Sequence, residues 1–425
     1  MSAREHMRLI FEGTGSRGDV APLLELAGVL AQRGYCCRLL ANSGYEQEAR
    51  ERGVELTATV ERQTAFRKGE AVSFSDYLYP GLPAVQRCLA DVGASSTVCI
   101  NTTRLSASNL ICEQRGIDTV RLHLSPFVLR SLVSPPWPYR ARAEGPPGRE
   151  GLRRLYHAID TDQRVLGFLN QQRREHGLCA VQSAWHAEPH LRRQLAMFPS
   201  WFCEPAADWP VDLELVGFPL PAARGALPPA VLDFVARHGR PIVFTTGTFV
   251  DDTDSFVALA RACCEQLGRP GIFLSKHRAQ LSCAGPSGLL EIPFAELGLL
   301  LPRAALIVHH AGVGTSARAL QAGIPQIACP TGFDQFDNAQ RLRQLGVACI
   351  ADRRLLSAAD LCAAIESLLG SKLVAERSLA LAAQSRDGLE RAADVIEAVV
   401  QSRRVASPGR SSAAGSGAGI VSAEL

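Results

Sequence analysis

The chain has 425 residues, more than one hydrophobic core usually serves, so we expect two domains. Hydrophobic residues make up 47% of the sequence and charged residues 20%, the proportions of a soluble globular protein. The net charge is only +3, from 45 basic and 42 acidic residues, which gives no reason to expect nucleic acid or an acidic membrane as a partner.

Targeting and redox signals favour a cytoplasmic protein. No stretch approaches the roughly 20 uninterrupted apolar residues of a membrane-spanning helix, so we expect no integral membrane segment. The N-terminus enters a strand at once, without the apolar region of a signal peptide. The 13 cysteines include two adjacent pairs but no C-x-x-C string, which favours reduced thiols over disulfides or zinc.

The first elements predict a parallel α/β domain. Met7 to Phe11 is a short apolar strand, a Gly-rich turn follows from Gly13 to Pro22, and apolar residues at helical spacing run to Gly34. Cys36 to Ala41 is the next predicted strand and completes a βαβ unit. The turn lacks the G-x-G-x-x-G spacing and no acidic residue ends the second strand, which argues against an NAD or FAD site.

Asp19 is the candidate functional residue in this turn. A carboxylate at the carboxyl edge of a strand lies where open α/β sheets bind their ligands. The alternative is that Asp19 caps a helix beginning near Pro22, and the two roles are compatible.

The middle of the chain carries weaker patterns. Val98–Asn101 and Val120–Leu124 predict strands, with a helix from Ala107 to Arg115 between them. A basic helical segment from Arg149 to Arg174 follows a Pro/Gly-rich loop, and we expect its arginines, Arg173 among them, to form a solvated face. Scattered aromatic residues in this half suit an apolar ligand pocket, although packing explains each one separately.

We predict an N-terminal domain of residues 1–220, a linker of residues 221–229 and a second domain of residues 230–401. The second domain begins with a strand that ends in the turn Gly247–Thr248, and its last helix is free to cross back to the first domain. Residues 402–425 are rich in Ser, Gly and Ala and are predicted to be a disordered tail.

The most informative stretch runs from Ile307 to Arg341. A buried strand leads through a Gly-rich turn into a helix, which gathers free backbone N–H groups and the positive end of a helix dipole into an anion site, most naturally for phosphate. His310 adds a donor, and Asp334 and Gln335 downstream are hydroxyl-binding side chains. Together they suggest a phosphorylated sugar; packing alone would not require all three.

The joint pattern His310-x-Gly312-x-Gly314-Thr315, Gly323-x-Pro325, Pro330 and Asp334-Gln335 resembles the donor signature of the UDP-glycosyltransferase superfamily. The resemblance implies the GT-B fold, in which two doubly wound Rossmann-like parallel-sheet domains face each other across a cleft. It implies that the histidine and the Gly-Thr turn bind the diphosphate of a nucleotide sugar and that the Asp-Gln pair binds the sugar hydroxyls. The remaining donor contacts it implies are Gly15, Ser16, Gly247, Thr248, Phe294 and Ala295.

The phrases Phe-Pro-Ser-Trp-Phe at 198–202 and Gly-Phe-Pro-Leu at 217–220 are similar to the bacterial branch of rhamnolipid rhamnosyltransferases and antibiotic or sterol glycosyltransferases. This branch implies inverting transfer of a hexose, glucose or rhamnose, from a UDP- or dTDP-sugar to a hydroxyl of a lipophilic acceptor. It implies no metal and no other cofactor. Many members carry a catalytic histidine at the position of Asp19, and bacterial members with a Gly-Ser-x-Gly-Asp sequence imply Asp19 as the general base.

Three alternatives remain open. Asp160–Asp162 and Asp252–Asp254 match the Asp-x-Asp string of metal-dependent sugar transferases, but the string is short and common, so we favour solvated loop acids. A non-catalytic homologue that binds a nucleotide sugar and assists another enzyme is disfavoured by the intact set of candidate residues. A Rossmann NAD(P) oxidoreductase is disfavoured by the missing fingerprint.

Overall fold

The computed structural model describes residues 6–59, 79, 81–137, 139–140, 148–247, 254–275 and 288–405. Two separate parallel sheets, each lined by helices, dominate these residues, which confirms the predicted pair of doubly wound α/β domains. The predicted residues Thr248 and Asp252 lie outside the described residues.

The first sheet has seven strands in the order β3-β2-β1-β4-β5-β6-β7. The strands are β1 Arg8–Glu12, β2 Cys36–Ala41, β3 Glu55–Ala58, β4 Thr97–Asn101, β5 Asp118–His123, β6 Leu191–Ala196 and β7 Leu213–Leu215. The helices of this half are α1 Arg17–Gln32, α2 Glu46–Glu51, α3 Leu82–Ala90, α4 Ala107–Arg115, α5 Gly148–Asp160 and α6 Gln163–Glu175. Because β1 lies between β2 and β4, the turn after β1 is at the switch point of the sheet, where such folds bind ligands.

The second sheet has six strands in the order β10-β9-β8-β11-β12-β13. The strands are β8 Ile242–Thr245, β9 Gly271–Leu274, β10 Leu289–Ile292, β11 Leu306–His309, β12 Gln326–Ala328 and β13 Ala348–Ile350. The helices are α7 Pro229–His238, α8 Asp254–Leu267, α9 Leu297–Leu300, α10 Val313–Ala322, α11 Gln335–Gln344, α12 Ala358–Gly370, α13 Lys372–Gln384 and α14 Leu389–Val405. The neighbours β8 and β11 form the switch point, so the turns that carry Gly247 and His310 emerge side by side.

An apolar cluster joins the two halves. From the first half it takes the aromatic residues of the 198–220 segment, including Phe198, Phe202 and Phe218, and from the second half Leu320 of α10 and Leu342 of α11. The phrases Phe-Pro-Ser-Trp-Phe and Gly-Phe-Pro-Leu are therefore interface segments, and the cluster fixes α10 and α11 against the first domain.

The last helix, α14, packs on α1 and contributes to the core of the first sheet. Arg33 at the end of α1 forms ion pairs with Asp394 (2.8 Å) and Glu397 (2.7 Å) of α14 and also with Glu390. The helix continues to Val405, so the predicted disordered tail was wrong for residues 402–405.

Three other local expectations were also wrong. The basic segment is two helices, because Asp162 caps a new helix with bonds from the N–H groups of Arg164 and Val165. Arg173 is not solvated but buried, since its guanidinium pairs with Glu113 at 2.7 Å. The helical sequence pattern from Val374 to Val400 predicts one helix, but the structure has two, α13 and α14, separated by residues 385–388.

No helix among the described residues is both long and apolar enough to cross a bilayer.

Candidate functional site

The carboxyl edges of the two sheets face each other, as three observations across the domain boundary show. The guanidinium of Arg17, in the first turn of α1, lies 5.8 Å from the ring centre of Phe294. The backbone N–H of Trp137 donates a 2.8 Å hydrogen bond to Oδ1 of Asp337 in α11. The negative charge of Asp19 contributes to the raised pKa of Asp334. The predicted residues of both domains therefore border one cleft.

The N-terminus of α10 is an open anion site. Gly312 is its N-cap and offers no side-chain cap, and within the described part of the chain the N–H groups of Gly314 and Thr315 have no acceptor. Nothing lies within 4 Å of where a Cβ of Gly314 would be, so a ligand can approach the backbone there. Free N–H groups and the helix dipole both favour a phosphate at this point.

His310 is held in place by glycines. A Cβ on Gly312 would lie 2.4 Å from His310 Nε2, and a Cβ on Gly247 would lie 2.5 Å from its Cε1. Gly247 also has φ +76°, a backbone conformation that favours glycine. Both glycines therefore make room for the imidazole beside the N-terminus of α10.

Burial keeps His310 uncharged. Desolvation lowers its pKa to about 4, so the ring is neutral at physiological pH and carries one N–H. Its Nδ1 is buried and has no partner among the described residues. The ring can thus donate one hydrogen bond to a bound ligand, but it does not add a positive charge.

The turn between His310 and α10 depends on contacts of Ala311 with His309 and Asn338. Ala311 has φ +63°, an uncommon conformation for a residue with a Cβ. Its N–H donates to Nδ1 of His309 at 3.2 Å, and its carbonyl accepts from the side chain of Asn338 at 3.0 Å. His309 in turn lies 3.0 Å from Gln326 through Nε2, which fixes the tautomer with the proton on that nitrogen.

Asp334 and Gln335 differ in what they can offer. Oδ2 of Asp334 accepts one bond from Asn338 at 2.8 Å, which leaves carboxylate lone pairs for a ligand. Oε1 of Gln335 is already occupied by the N–H (2.8 Å) and hydroxyl (3.0 Å) of Thr331 and by the N–H of Gly332. A sugar would therefore meet an acceptor at Asp334 and, at Gln335, the donor Nε2.

Desolvation raises the pKa of Asp334 to about 6; the bond from Asn338 opposes this rise, and the charge of Asp19 adds to it. The side chain therefore titrates close to neutrality, which is unusual for an aspartate. Groups with such perturbed pKa values in a cleft are candidates for functional roles.

Asp19 occupies the third position of α1, not the position before it. The helix begins at Arg17 with Ser16 as its N-cap, so the expected start near Pro22 was wrong, while Asp19 does cap the helix, from its third position. Oδ2 of Asp19 accepts the backbone N–H (2.7 Å) and the hydroxyl (3.0 Å) of Ser16, a capping box. Oδ1 has no hydrogen-bond partner in the part of the chain that the structure describes.

Gly15 makes the position of Asp19 possible. It has φ +120°, and a Cβ there would lie 2.4 Å from Oδ2 of Asp19. Desolvation raises the pKa of Asp19 above its usual value, against the lowering effect of the two bonds from Ser16. The hydroxyl of Ser16 is itself occupied by Asp19 and by the N–H of Gly18 at 3.2 Å.

The predicted donor contacts Phe294 and Ala295 have unequal exposure. Phe294 is 48% exposed and faces Arg17, whose guanidinium is fixed by two bonds to Glu48, at 2.6 and 3.0 Å. The side chain of Ala295 packs in the core of the second domain, so only its backbone can reach a ligand.

In the first Asp-x-Asp string, Asp160 is ion-paired to Arg130 at 2.6 Å and Asp162 caps α6, so both of its acids already have partners. No group of three or more His, Cys, Asp or Glu side chains among the described residues is arranged as a metal site.

The sequence carries a signal for the position of Asn338. Asn338 follows Asp334 by four positions, which places the two side chains on one face of a helix. Asp337 and Arg341 have the same spacing, and their side chains form a 2.7 Å ion pair. No sequence pattern indicated His309 as more than a core residue.

Comparisons with known proteins find similarity to glycosyltransferases. Residues 272–398 match the family model of the erythromycin biosynthesis protein CIII-like C-terminal domain. The O-mycaminosyltylonolide 6-deoxyallosyltransferase of Streptomyces fradiae is 26% identical over 94% of this chain and 99% of its own length.

Among solved structures, the glycosyltransferase of kitacinnamycin has a TM-score of 0.73 at 20% identity, covering 93% of this chain and 99% of that one. The glycosyltransferase VinC in complex with dTDP has a TM-score of 0.59 at 17% identity, covering 93% of this chain and all of the other. Both structures share the GT-B fold of this chain. Together with the donor signature and the full-length relative, they show that the chain is similar to glycosyltransferases of the UDP-glycosyltransferase superfamily.

Proposed function

We propose that the protein is an inverting, metal-independent glycosyltransferase that transfers a hexose from a UDP- or dTDP-sugar to a hydroxyl group of a lipophilic small molecule. The observation that carries this proposal is the arrangement across the cleft. A carboxylate with one unpartnered oxygen, Asp19, is close enough to Asp334 to raise its pKa, while an open helix N-terminus and His310 lie in the same domain as Asp334.

The diphosphate of the donor would bind at α10. Its oxygens accept the free N–H groups of Gly314 and Thr315 and one hydrogen bond from the neutral ring of His310. Thr248 is proposed as a further contact by the family resemblance alone. Because these donors already point at the leaving group, they stabilise its developing charge without reorganisation, which is the role a metal plays in other transferases.

The sugar would lie between the two carboxylates. Asp334 accepts hydrogen bonds from its hydroxyls, and Nε2 of Gln335 donates one. The nucleoside base would stack near the half-exposed ring of Phe294, within reach of Arg17. Arg17 comes from the first domain, so it would help to close the cleft over the donor.

Asp19 would act as the general base. Its Oδ1 takes the proton of the acceptor hydroxyl, and the acceptor oxygen forms a bond to the anomeric carbon on the face opposite the diphosphate. The bond from that carbon to the phosphate oxygen breaks, the diphosphate leaves with the electron pair, and the configuration inverts. A pKa raised by desolvation makes Asp19 a stronger base than an ordinary aspartate.

The acceptor is proposed to be lipophilic, such as a polyketide, a lipid hydroxyacid, a sterol or a phenol. Beyond the carboxyl end of β5, Phe127 and Tyr139 stack at 5.9 Å and Tyr139 meets Tyr156 at 5.8 Å. Val128 and Val133 in the same region are about half exposed. A relative named for its action on a tylonolide derivative is consistent with such an acceptor.

The test is a thermal-shift screen of the purified protein against UDP, dTDP, UDP-glucose, dTDP-rhamnose and NADPH, with and without EDTA. A ligand at 100 times its dissociation constant stabilises the folded state by about 2.7 kcal/mol. We expect UDP or dTDP compounds to raise the melting temperature equally with and without EDTA. A shift with NADPH alone would support the oxidoreductase alternative, and a shift abolished by EDTA would refute metal independence.

Binding without turnover is the signature of the non-catalytic alternative. Release of UDP or dTDP in the presence of a panel of polyketide, sterol and phenol acceptors separates the two. The anomeric configuration of the product, read by NMR, tests inversion.

A further inference from the structure

One hydrogen bond connects the acceptor side of the cleft directly to the helix that carries the sugar-binding pair. The loop of residues 131–137 follows β5 at the carboxyl edge of the first sheet. Its last residue, Trp137, donates its backbone N–H to Oδ1 of Asp337 at 2.8 Å. Asp337 belongs to α11, two positions after Gln335 and three after Asp334.

Asp337 is built as a fixed acceptor. Its side chain is 4% exposed, and Arg341, one turn further along α11, pairs with it at 2.7 Å through Nε. Arg341 also donates through Nη2 to Oδ1 at 3.3 Å, so the guanidinium fixes both oxygens, and Oδ1 accepts the N–H of Trp137 as well. A buried carboxylate that accepts a backbone N–H in this way forms a strong, charge-assisted hydrogen bond.

The opposite end of the loop is anchored within its own domain. Asp208 accepts the hydroxyl of Ser131 at 2.6 Å and the N–H groups of Leu132 at 2.7 Å and Val133 at 3.3 Å. The loop thus has one anchor in each domain.

The stretch between these anchors is stiff. Pro135 and Pro136 precede Trp137, and proline has a fixed φ and no N–H. A change at either anchor is therefore transmitted along the loop rather than absorbed. The helix also contacts the short turn Pro126–Val128 that leads into the loop, so loop and helix meet at more than one point.

We propose that Asp337 is a positioning residue that couples donor binding to the acceptor loop: a nucleotide sugar that fixes the start of α11 also fixes residues 131–137 through the bond to Trp137. The inference rests on the proposed function, because it takes α11 as the sugar-binding helix. It assigns Asp337 no contact with substrate. Its effect is to hold the acceptor loop more firmly when the donor is bound.

The amide of Trp137 is a specific reporter of this coupling. The chain has four tryptophans, so protein labelled with 15N-tryptophan gives four backbone amide signals. The amides of Trp185 and Trp209 bond to Ser183 and Ala206 within the first domain and serve as internal references. Hydrogen exchange of these amides is measured in the full chain with and without saturating UDP or dTDP.

In the wild-type protein we expect the nucleotide, and more strongly the nucleotide sugar, to slow exchange at Trp137 by about fivefold or more while the reference amides stay unchanged. Asp337→Ala should remove this protection while the affinity for UDP or dTDP stays within about threefold. Asp337→Asn retains an acceptor oxygen without the ion pair and should restore part of the protection. Asp352→Ala removes an Asp–Arg pair on the surface of the same domain and should change nothing.

Each outcome decides between the proposals. If no UDP or dTDP compound raises the melting temperature of the wild type, the proposed function fails. If they bind but do not slow exchange at Trp137, or if Asp337→Ala keeps the protection, the coupling fails alone. Once an acceptor is known, Asp337→Ala should raise its KM at least about fivefold while the KM of the donor stays within about twofold.

Discussion

Asp19→Asn separates the two roles that the structure gives Asp19. Only Oδ2 is used by the capping box, since it accepts both bonds from Ser16, whereas Oδ1 is unpartnered among the described residues. An asparagine can place its carbonyl oxygen where Oδ2 lies and its NH₂ group where Oδ1 lies. The cap is then kept, and the oxygen that would accept the proton is lost.

The expected magnitudes are far apart. Loss of the negative charge in the first turn of α1 removes a favourable interaction with the helix dipole, about 0.3–1 kcal/mol of folding stability. Loss of a general base lowers kcat by roughly 10²–10⁴-fold, equivalent to about 2.7–5.4 kcal/mol in the activation barrier. The affinity for UDP or dTDP should stay within about threefold, because the diphosphate site is on α10 in the other domain.

The assay measures kcat by release of nucleoside diphosphate with the best acceptor from the screen, and stability by thermal unfolding. The chain supplies a matched control, since Ser357 and Asp360 form the same capping box at α12, on the surface and away from the cleft. Asp360→Asn should lose stability for the same reason and leave kcat unchanged. If Asp19→Asn also retains kcat within about fivefold of wild type, Asp19 is a cap and the mechanism is refuted.

Three further predictions concern the donor domain. Gly312→Ala should displace His310, because Nε2 of His310 would lie 2.4 Å from the new Cβ, and should weaken UDP or dTDP binding at least tenfold by calorimetry. The control Gly370→Ala, which has open space around it, should leave this affinity unchanged. Equal affinities of the two variants would contradict the role of the imidazole. The kcat/KM for the donor should fall by about tenfold per pH unit below about pH 6, because Asp334 must be ionised to accept hydrogen bonds from sugar hydroxyls. Asp334→Asn should have a low kcat/KM that lacks this pH dependence. Asn338→Ala leaves buried polar groups unpaired and should lower the free energy of unfolding by about 1–3 kcal/mol, measured by denaturant unfolding. It should also weaken donor binding, measured by calorimetry. An unchanged midpoint of denaturant unfolding would exclude Asn338 as a support of the turn.

Strands buried on both faces were the most predictable part of the fold. Cys36–Ala41 and the helix Ala107–Arg115 have the predicted bounds, because apolar runs and helical periodicity are local properties. The strands β6 and β7 were missed, since β6 begins Leu-Arg-Arg-Gln and lacks the apolar run typical of a parallel strand. Arg173 was misjudged for a related reason: its burial depends on Glu113, 60 residues away, and no local pattern reports that partner.

The sequence predicted which residues of the site belong to a chemical motif. It did not predict the packing contacts that hold those residues in position. Gly15 and Gly247 were expected to contact the donor because they belong to Gly-rich turns. The structure adds that each also makes space for a side chain, Asp19 and His310 respectively, which depends on contacts invisible in sequence. Ala311 is a clearer case, since an alanine gives no sequence signal of a left-handed backbone held by the side chains of His309 and Asn338.

The two carboxylates of the cleft have to be considered as a pair. Asp19 raises the pKa of Asp334, and by Coulomb's law an ionised Asp334 raises the proton affinity of Asp19 in return. Sugar hydroxyls that donate to Asp334 favour its ionised form. Donor binding would therefore make Asp19 a stronger base at the moment an acceptor is needed. The neutral state of His310 is consistent with this arrangement of charges. N–H dipoles stabilise the leaving group, and the negative charges of Asp334 and Asp19 lie beside the sugar and the acceptor hydroxyl.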